Sequence, residues 1–283
     1  MVLATTTDDV TGITPDQIAD LITLPVQRAS IAMQASTLLQ TAATRTHIPV
    51  VAADPSVGWV AEGEEIGLSD PTVDDIIVEP AKVAGLTVVT NELAADSSPA
   101  AAGIVGDGLA RDISRKIDAA FFGTKGASLV QPAGLEDLAG VSTIDAGASW
   151  ANLDPFAEAI SNADALGLLE SGFAFIANPA DALVLAKLKV ETGSNLPLLG
   201  ADPTQATKRN VLGFPLLASS AVTAGTVWGL PKVRAMVVQR TNVELAVDRS
   251  AYFTSDRTAI RATMRVGFAF PHAAAVQKIE LDA

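Results

Sequence analysis

Few residues in this 283-residue chain are of the types that carry out catalysis. There is no cysteine, and the only histidines are His47 and His272. The lack of cysteine excludes disulfides, thiolate metal sites and cysteine nucleophiles. Either histidine could act as a general base, but a lone histidine is more often structural. We therefore predict no catalytic residue, no cofactor and no metal site. A small hydrolase that uses the two histidines is the least favoured alternative.

Three segments resemble functional motifs but carry the wrong residue types at key positions or lie in the wrong element. Residues 126–130 (GASLV) lack the last glycine of a nucleophile elbow. Residues 106–111 (GDGLAR) begin like a dinucleotide fingerprint, but they end in arginine inside a predicted helix. Residues 54–65 have the length of a calcium-binding loop, yet Ser56, Gly58 and Trp59 occupy positions that need acids and glycine. None of the three predicts a site.

Charge gives the stronger functional signal, because the acidic residues are concentrated in one segment. The net charge is −13, of which residues 51–98 carry −9, while residues 232–283 carry +3. So acidic a chain is poorly suited to sequence-independent binding of nucleic-acid phosphates. Lys82 is the only lysine or arginine between Arg45 and Arg111.

The acidic segment is predicted to be a hairpin arm. Residues 46–51 and 76–89 are rich in β-branched side chains, and the stretch between them is rich in turn-forming residues. Several acids and one large aromatic residue lie near its far end: Trp59, Glu62, Glu64, Glu65 and Asp70. Such an arm has little to pack against in its own chain.

A long strand with two different faces is predicted near the C-terminus. Apolar side chains recur at every second position of residues 258–270, while Arg257, Arg261 and Arg265 share the opposite face. Arginine can bind carboxylates through two hydrogen bonds, so this row complements the acidic arm. Because one exposed ion pair contributes only about 0–1 kcal/mol, many repeated contacts would be needed. An ordinary solvated loop and a solvated sheet face remain the simpler interpretations.

The remaining pattern predicts a mixed α+β protein. A stripe of apolar residues every four positions indicates a long helix over residues 99–122, ended by Gly123. Proline after Asp154 and after Asn178 predicts helices over about 155–170 and 179–190, with strands at 173–177, 233–238 and 243–247. The uncharged residues 211–231 are interpreted as short strands and turns, not as a membrane span. Residues 1–10 do not predict a secretory signal.

In order along the chain, these elements resemble the major capsid proteins of tailed double-stranded-DNA bacteriophages, with the Hong Kong 97-like fold. The resemblance rests on residues 59–64 (WVAEGE), 69–70 (SD), 90–93 (TNEL), 96–97 (DS), 117–123 (IDAAFFG), 131–135 (QPAGL), 213–216 (GFPL), 261–265 (RATMR) and Pro271. It implies an N-terminal arm (1–45), an extended E-loop hairpin (46–90), a peripheral domain with a spine helix (91–140), an axial α/β domain (141–231), and strands that return from the axial to the peripheral domain (232–283).

The function implied by this resemblance is that of a self-assembling subunit of an icosahedral viral capsid. Pentamers and hexamers would form a shell around packaged DNA, in a virion assembled in the host cytoplasm. The expected partners are other copies of the chain, a separate scaffolding protein, a portal and a possible cement protein, with no membrane and no sequence-specific DNA binding. The acidic end of the arm has no lysine, so the covalent cross-link of some relatives is not expected. An encapsulin-type shell enclosing a cargo enzyme is the main alternative.

Overall fold

The computed structural model describes residues 30–53, 57–65, 67–68, 70, 72–91, 100–127, 130–169, 172–191, 194–199 and 209–282. Over these ranges the chain has the predicted α+β character. The strands are β1 (Thr37–Gln40), β2 (Thr46–Ala53), β3 (Thr72–Val78), β4 (Ala81–Thr90), β5 (Ser142–Asp145), β6 (Phe173–Ala177), β7 (Asn210–Val211), β8 (Phe214–Ala218), β9 (Thr226–Pro231), β10 (Met236–Tyr252), β11 (Arg257–Ala269) and β12 (Gln277–Glu280). The helices are α1 (Ile31–Ala35), α2 (Ala100–Phe122), α3 (Asp154–Ala165) and α4 (Pro179–Lys187).

A four-stranded sheet and the long helix α2 form the first core. The strand order is β1-β10-β11-β4, with β1 parallel to β10 and the other pairs antiparallel. Ile113, Ile117 and Phe121 of α2 are buried in the same cluster as Met264 and Phe268 of β11. The predicted spine helix and the apolar face of the C-terminal strand are thereby confirmed. The predicted helix start at residue 99 lies outside the described residues.

One long strand replaces the two that were predicted between residues 233 and 247. β10 runs without a break from Met236 to Tyr252, but its pairing with β11 shifts register after Gln239, after Thr241 and after Asp248. The first two shifts each take up one extra residue of β10, as β-bulges do, and the third takes up two, without ending the strand. The polar residues around position 241 resemble a turn in sequence, and this is why the prediction of two strands was wrong.

The arm is a two-stranded hairpin whose return strand is shorter than predicted. β2 pairs with β3, which ends at Val78, whereas β4 pairs with β11 in the four-stranded sheet. Pro80 lies between β3 and β4 and cannot donate a ladder hydrogen bond, so it separates the two strands. The prediction of one return strand over residues 76–89 was therefore wrong, because it combined part of β3 with β4.

The base of the arm packs on the four-stranded sheet through a small apolar cluster. Ile48 and Val78 of the arm are buried with Val238 and Ala269 of the sheet. Gly267 permits this approach, because a Cβ atom there would lie 2.7 Å from Cγ1 of Val78. This cluster holds the arm to the rest of the subunit.

A six-stranded sheet with helices α3 and α4 forms the second core. Its order is β5-β12-β9-β6-β8-β7. The two helices end earlier than predicted, at Ala165 and Lys187, whereas the strand at 173–177 is confirmed. Residues 211–231 form short strands and turns, as predicted. Within the described ranges, no helix combines the length and the apolar character needed to cross a membrane.

Two buried carboxylates stabilise contacts between elements. Asp118 of α2 accepts hydrogen bonds from the Ser30 hydroxyl (2.6 Å) and from the backbone N–H groups of Ile31 (3.1 Å) and Ala32 (3.0 Å). Burial raises the pKa of Asp118, although these three hydrogen bonds oppose the shift. Asp181 of α4 accepts a hydrogen bond from the indole N–H of Trp150 (2.9 Å) and one from a backbone N–H (2.8 Å).

Candidate functional site

The exposed face of the four-stranded sheet carries the predicted row of arginines. Arg257, Arg261 and Arg265 are exposed and lie on one face of β11, while most residues that alternate with them are buried. Successive arginines are four residues apart, or about 13 Å along an extended strand. The strand register adds Lys82 of β4, which lies directly opposite Arg265. We call the exposed face that bears these four residues the basic face.

A β-bulge brings one more cation to this face. Gln239 pairs with Val266 and Thr241 pairs with Arg265, so Arg240 is the extra residue between two consecutive pairs. Such a bulge redirects its side chain. Arg240 lines one groove of about 390 Å³ together with Lys82, Arg261 and Arg265, and we call this the basic groove.

The cations of the basic groove are not neutralised by the described part of the subunit. None of the four lies within 4.0 Å of a carboxylate in the described residues, where the ion pairs involve Arg45, His47 and Lys278. Glu244 is the acidic residue of the groove lining. Thr241 and Thr263 also line the groove and offer hydroxyl groups. The groove therefore presents an uncompensated positive charge to the solvent.

The end of the arm presents the opposite charge together with apolar side chains. Glu62, Glu64, Glu65 and Asp70 are exposed, and none of them forms an ion pair within the described ranges. Trp59 is fully exposed. We call these five residues the arm tip. Nearer its base the arm does contain ion pairs, Arg45–Glu79 at 2.6 Å and His47–Asp75.

The structure thus gathers the predicted residues into two separate surfaces. The arm tip extends from the β2–β3 hairpin, whereas the basic face belongs to the four-stranded sheet. No ion pair joins the two surfaces among the described residues. Sequence reasoning missed that Lys82 and Arg240 belong to the basic groove. Alternation would have indicated Lys82 once β4 was separated from the arm, but the bulge that places Arg240 has no such periodic signal.

The two histidines do not form a common site. His47 pairs with Asp75 on the arm, and Nδ1 of His272 lies 2.8 Å from the carbonyl oxygen of Pro271. An apolar groove of about 320 Å³ between α2 and β4 contains no histidine in its lining. The described residues contain no group of three or more histidine or acidic side chains arranged to hold a metal ion. The arrangement thus gives no support to the hydrolase alternative.

The fold and these two surfaces define a structural subunit that exposes opposite charges on two different sheets. Comparison with known proteins identifies the family: the model of the phage capsid family matches residues 11–281. The chain belongs to the phage capsid family, and it is a structural capsid subunit. No match is found among curated proteins.

Solved structures show the same fold at low sequence identity. The capsid of a native GTA particle aligns with a TM-score of 0.70 and 18% identity, covering 100% of this chain and 96% of that one. A chain from Microbacterium phage Oxtober96 aligns with a TM-score of 0.71 and 18% identity, covering 89% and 91%. A virus-like particle from Pyrococcus furiosus aligns with a TM-score of 0.63 and 10% identity, covering 94% and 98%.

Proposed function

We propose that this capsid protein forms pentamers and hexamers that join into a shell enclosing double-stranded DNA, and that the arm tip of one subunit binds the basic face of a neighbour. The observation that carries the proposal is that both surfaces are exposed, oppositely charged and without partners among the described residues of their own chain. Glu62, Glu64, Glu65 and Asp70 would pair with Arg257, Arg261 and Arg265.

Repeated ion pairs and one aromatic contact supply the binding energy in this proposal. An exposed pair contributes about 0–1 kcal/mol, so three or four pairs give a few kcal/mol at most. Leu86 and Val88 lie on the basic face and are 62% and 37% exposed, which offers an apolar surface to Trp59. Burying half of a tryptophan side chain there would contribute about 2–3 kcal/mol. Summed over every junction of a shell, these modest contacts are sufficient to hold the subunits together.

The contact proposed here is heterologous, since the arm of one subunit meets the sheet of the next. Contacts of this type close into rings when the rotation between subunits is suitable. Rings of five and six can therefore use the same pair of surfaces. The net charge of −13 suits a container that must not bind the DNA it encloses.

Charge reversal with a rescue variant tests the arm contact. Arg261→Glu with Arg265→Glu should reduce the particle yield seen by electron microscopy, because the acidic arm tip would then meet acidic residues. Arg111→Glu with Arg115→Glu is the matched control, since these exposed arginines on α2 have the same four-residue spacing. Glu64→Arg with Glu65→Arg should restore assembly of the first variant. A normal particle yield from Arg261→Glu with Arg265→Glu alone would contradict the proposed contact. An equal loss of yield in Arg111→Glu with Arg115→Glu would contradict it as well.

The contents of the shell distinguish a phage capsid from an encapsulin-type shell. The fold is shared with a virus-like particle from Pyrococcus furiosus, so the fold alone does not decide between them. Particles purified together with the products of neighbouring genes should contain nuclease-protected double-stranded DNA. An enclosed enzyme in place of DNA would favour the encapsulin alternative. The proposal also includes a separate scaffolding protein, a portal, a cement protein and assembly in the host cytoplasm. It further includes the division of the chain into the five segments given above.

A further inference from the structure

The basic groove concentrates like charges in a way that a sheet does not favour by itself. Lys82 and Arg265 lie directly opposite each other on adjacent antiparallel strands, a position where like charges destabilise pairing. Arg261 is on the same face of β11, and the bulge adds Arg240. A bound anion would relieve this repulsion.

The bulge that supplies Arg240 is itself held in place. Gln239 is buried, and its side-chain amide donates a 2.8 Å hydrogen bond to the side-chain oxygen of Asn242 across the irregular part of β10. Bulges of this kind often lie beside binding sites, where they direct a side chain. The backbone that carries Arg240, the fourth cation of the groove, is therefore part of a strand held by this hydrogen bond.

The lining of the basic groove fits a phosphate group. Guanidinium groups bind phosphate oxygens through paired hydrogen bonds, and the hydroxyls of Thr241 and Thr263 can donate further ones. Four cations and one acid, Glu244, leave a formal charge of +3 in the lining. An anion with three or more negative charges would match that excess.

A small anion fits better than a nucleic acid. The whole subunit carries −13, so a long polyanion that extended beyond the groove would meet acidic surface. A small anion inside the groove interacts mainly with charges within the screening length, about 8 Å at physiological ionic strength.

We propose that the basic groove of the unassembled subunit binds a small multivalent phosphate anion. A second step rests on the proposed arm contact. The anion leaves the groove when the arm tip of a neighbouring subunit binds, so free anion in solution slows assembly. The groove then has two occupants, one before assembly and one after it.

Titration calorimetry with inorganic tripolyphosphate tests the binding step. The sample is the full chain carrying Glu62→Gln, Glu64→Gln, Glu65→Gln and Asp70→Asn, in which a neutral arm tip leaves the groove open. We expect saturable binding of one anion per chain, weakened by added salt. Adding Arg261→Glu and Arg265→Glu should weaken binding by about tenfold or more, since two paired phosphate contacts are lost.

Matched variants separate the groove from general charge effects. Adding Arg111→Glu and Arg115→Glu to the same background makes an equal change in net charge and should leave the affinity within about twofold, because long-range charge is screened. Lys82→Ala, a milder change, should weaken binding less than the double reversal does. Circular dichroism identifies variants that fail to fold. Absence of saturable binding, or an equal effect of both double reversals, would overturn the inference. Tighter binding of a thymidine oligonucleotide than of tripolyphosphate would assign the groove to nucleic acid and overturn it as well.

The calorimetry result is independent of the proposed arm contact. If charge reversal at Arg261 and Arg265 blocks assembly but tripolyphosphate does not bind, the anion inference fails and the arm contact stands. If tripolyphosphate binds but charge reversal leaves assembly normal, the arm contact fails and the anion site stands. If both hold, tripolyphosphate should slow the assembly of the wild-type chain, measured by light scattering.

Discussion

Replacing Asp118 with alanine should loosen residues 30–32 from the spine helix α2. The carboxylate accepts hydrogen bonds from three donors of residues 30–32, and Ser30 and Ala32 are fully buried, so water cannot replace the lost acceptor. Each donor left without a partner costs about 1 kcal/mol, or about 3 kcal/mol for three. Removing the buried carboxylate also removes its own desolvation penalty, which leaves a net loss of about 2 kcal/mol.

Asp118→Asn is the informative companion variant. Its side-chain oxygen can still accept from Ser30 and Ala32, whereas its amide nitrogen replaces the oxygen that accepts from Ile31. We therefore expect a loss of about 1 kcal/mol in the free energy of unfolding, smaller than the loss in Asp118→Ala. The pH dependence of the free energy of unfolding should differ between the wild type and Asp118→Asn. Because burial raises the pKa of Asp118 above 3.8, the folded state binds more protons than the unfolded chain between that value and the raised one. Stability therefore falls as pH rises through this window, and Asp118→Asn should lack that contribution.

Hydrogen exchange and urea unfolding measure the two effects. In Asp118→Ala, amide protection should fall in α1 and in β1, which follows α1 and is an edge strand of the four-stranded sheet. Protection in α3 and α4 should be unchanged, because their buried residues belong to the other core. Wild-type protection of α1 together with wild-type stability would refute the role given to Asp118.

Three further predictions concern packing and pH. Gly267→Ala would press a Cβ against the base of the arm and lower stability by about 1–3 kcal/mol in thermal unfolding; Gly58→Ala, whose Cβ would have open space, should leave Tm unchanged. Phe121→Ala removes a buried ring that contacts three other phenylalanine rings, and should cost about 3–5 kcal/mol in urea unfolding. The hydroxyl of Thr124, with two backbone N–H groups, lowers the pKa of Asp137, so its stabilising effect is complete above pH 3.8 and is lost as pH falls through the lowered pKa. Asp137→Asn should lack this acid-dependent loss, measured by circular dichroism.

Elements with a strong local signal could be predicted from the sequence. Alternation over residues 258–270 predicted β11, and the apolar stripe through Ile113 and Phe121 predicted the spine helix. The proline after Asn178 predicted α4, and the Asn178 side chain caps this helix by accepting a 3.0 Å hydrogen bond from the backbone N–H of Ala180. In each case, residues near in sequence determine the structure.

Features that depend on pairing between distant segments could not be predicted. The assignment of β4 to the four-stranded sheet depends on its register with β11, more than 160 residues later in the chain. β12 is likewise placed between β5 and β9 by long-range pairing. The bulge at Arg240 leaves no periodic pattern, so the fourth cation of the basic groove is visible only in the folded sheet. The charged residues were predictable, whereas their grouping was not.

The narrow attachment of the arm has a consequence for shell curvature. β3 spans seven residues, about 23 Å of extended strand, and is joined to the sheet by the small cluster around Val78. A rotation of about 10° at this pivot carries the far end of such a strand through about 4 Å, comparable to the spacing between neighbouring strands. In the proposed shell, such a rotation would let one rigid subunit body follow flatter or more sharply bent regions of a closed surface without repacking its interior.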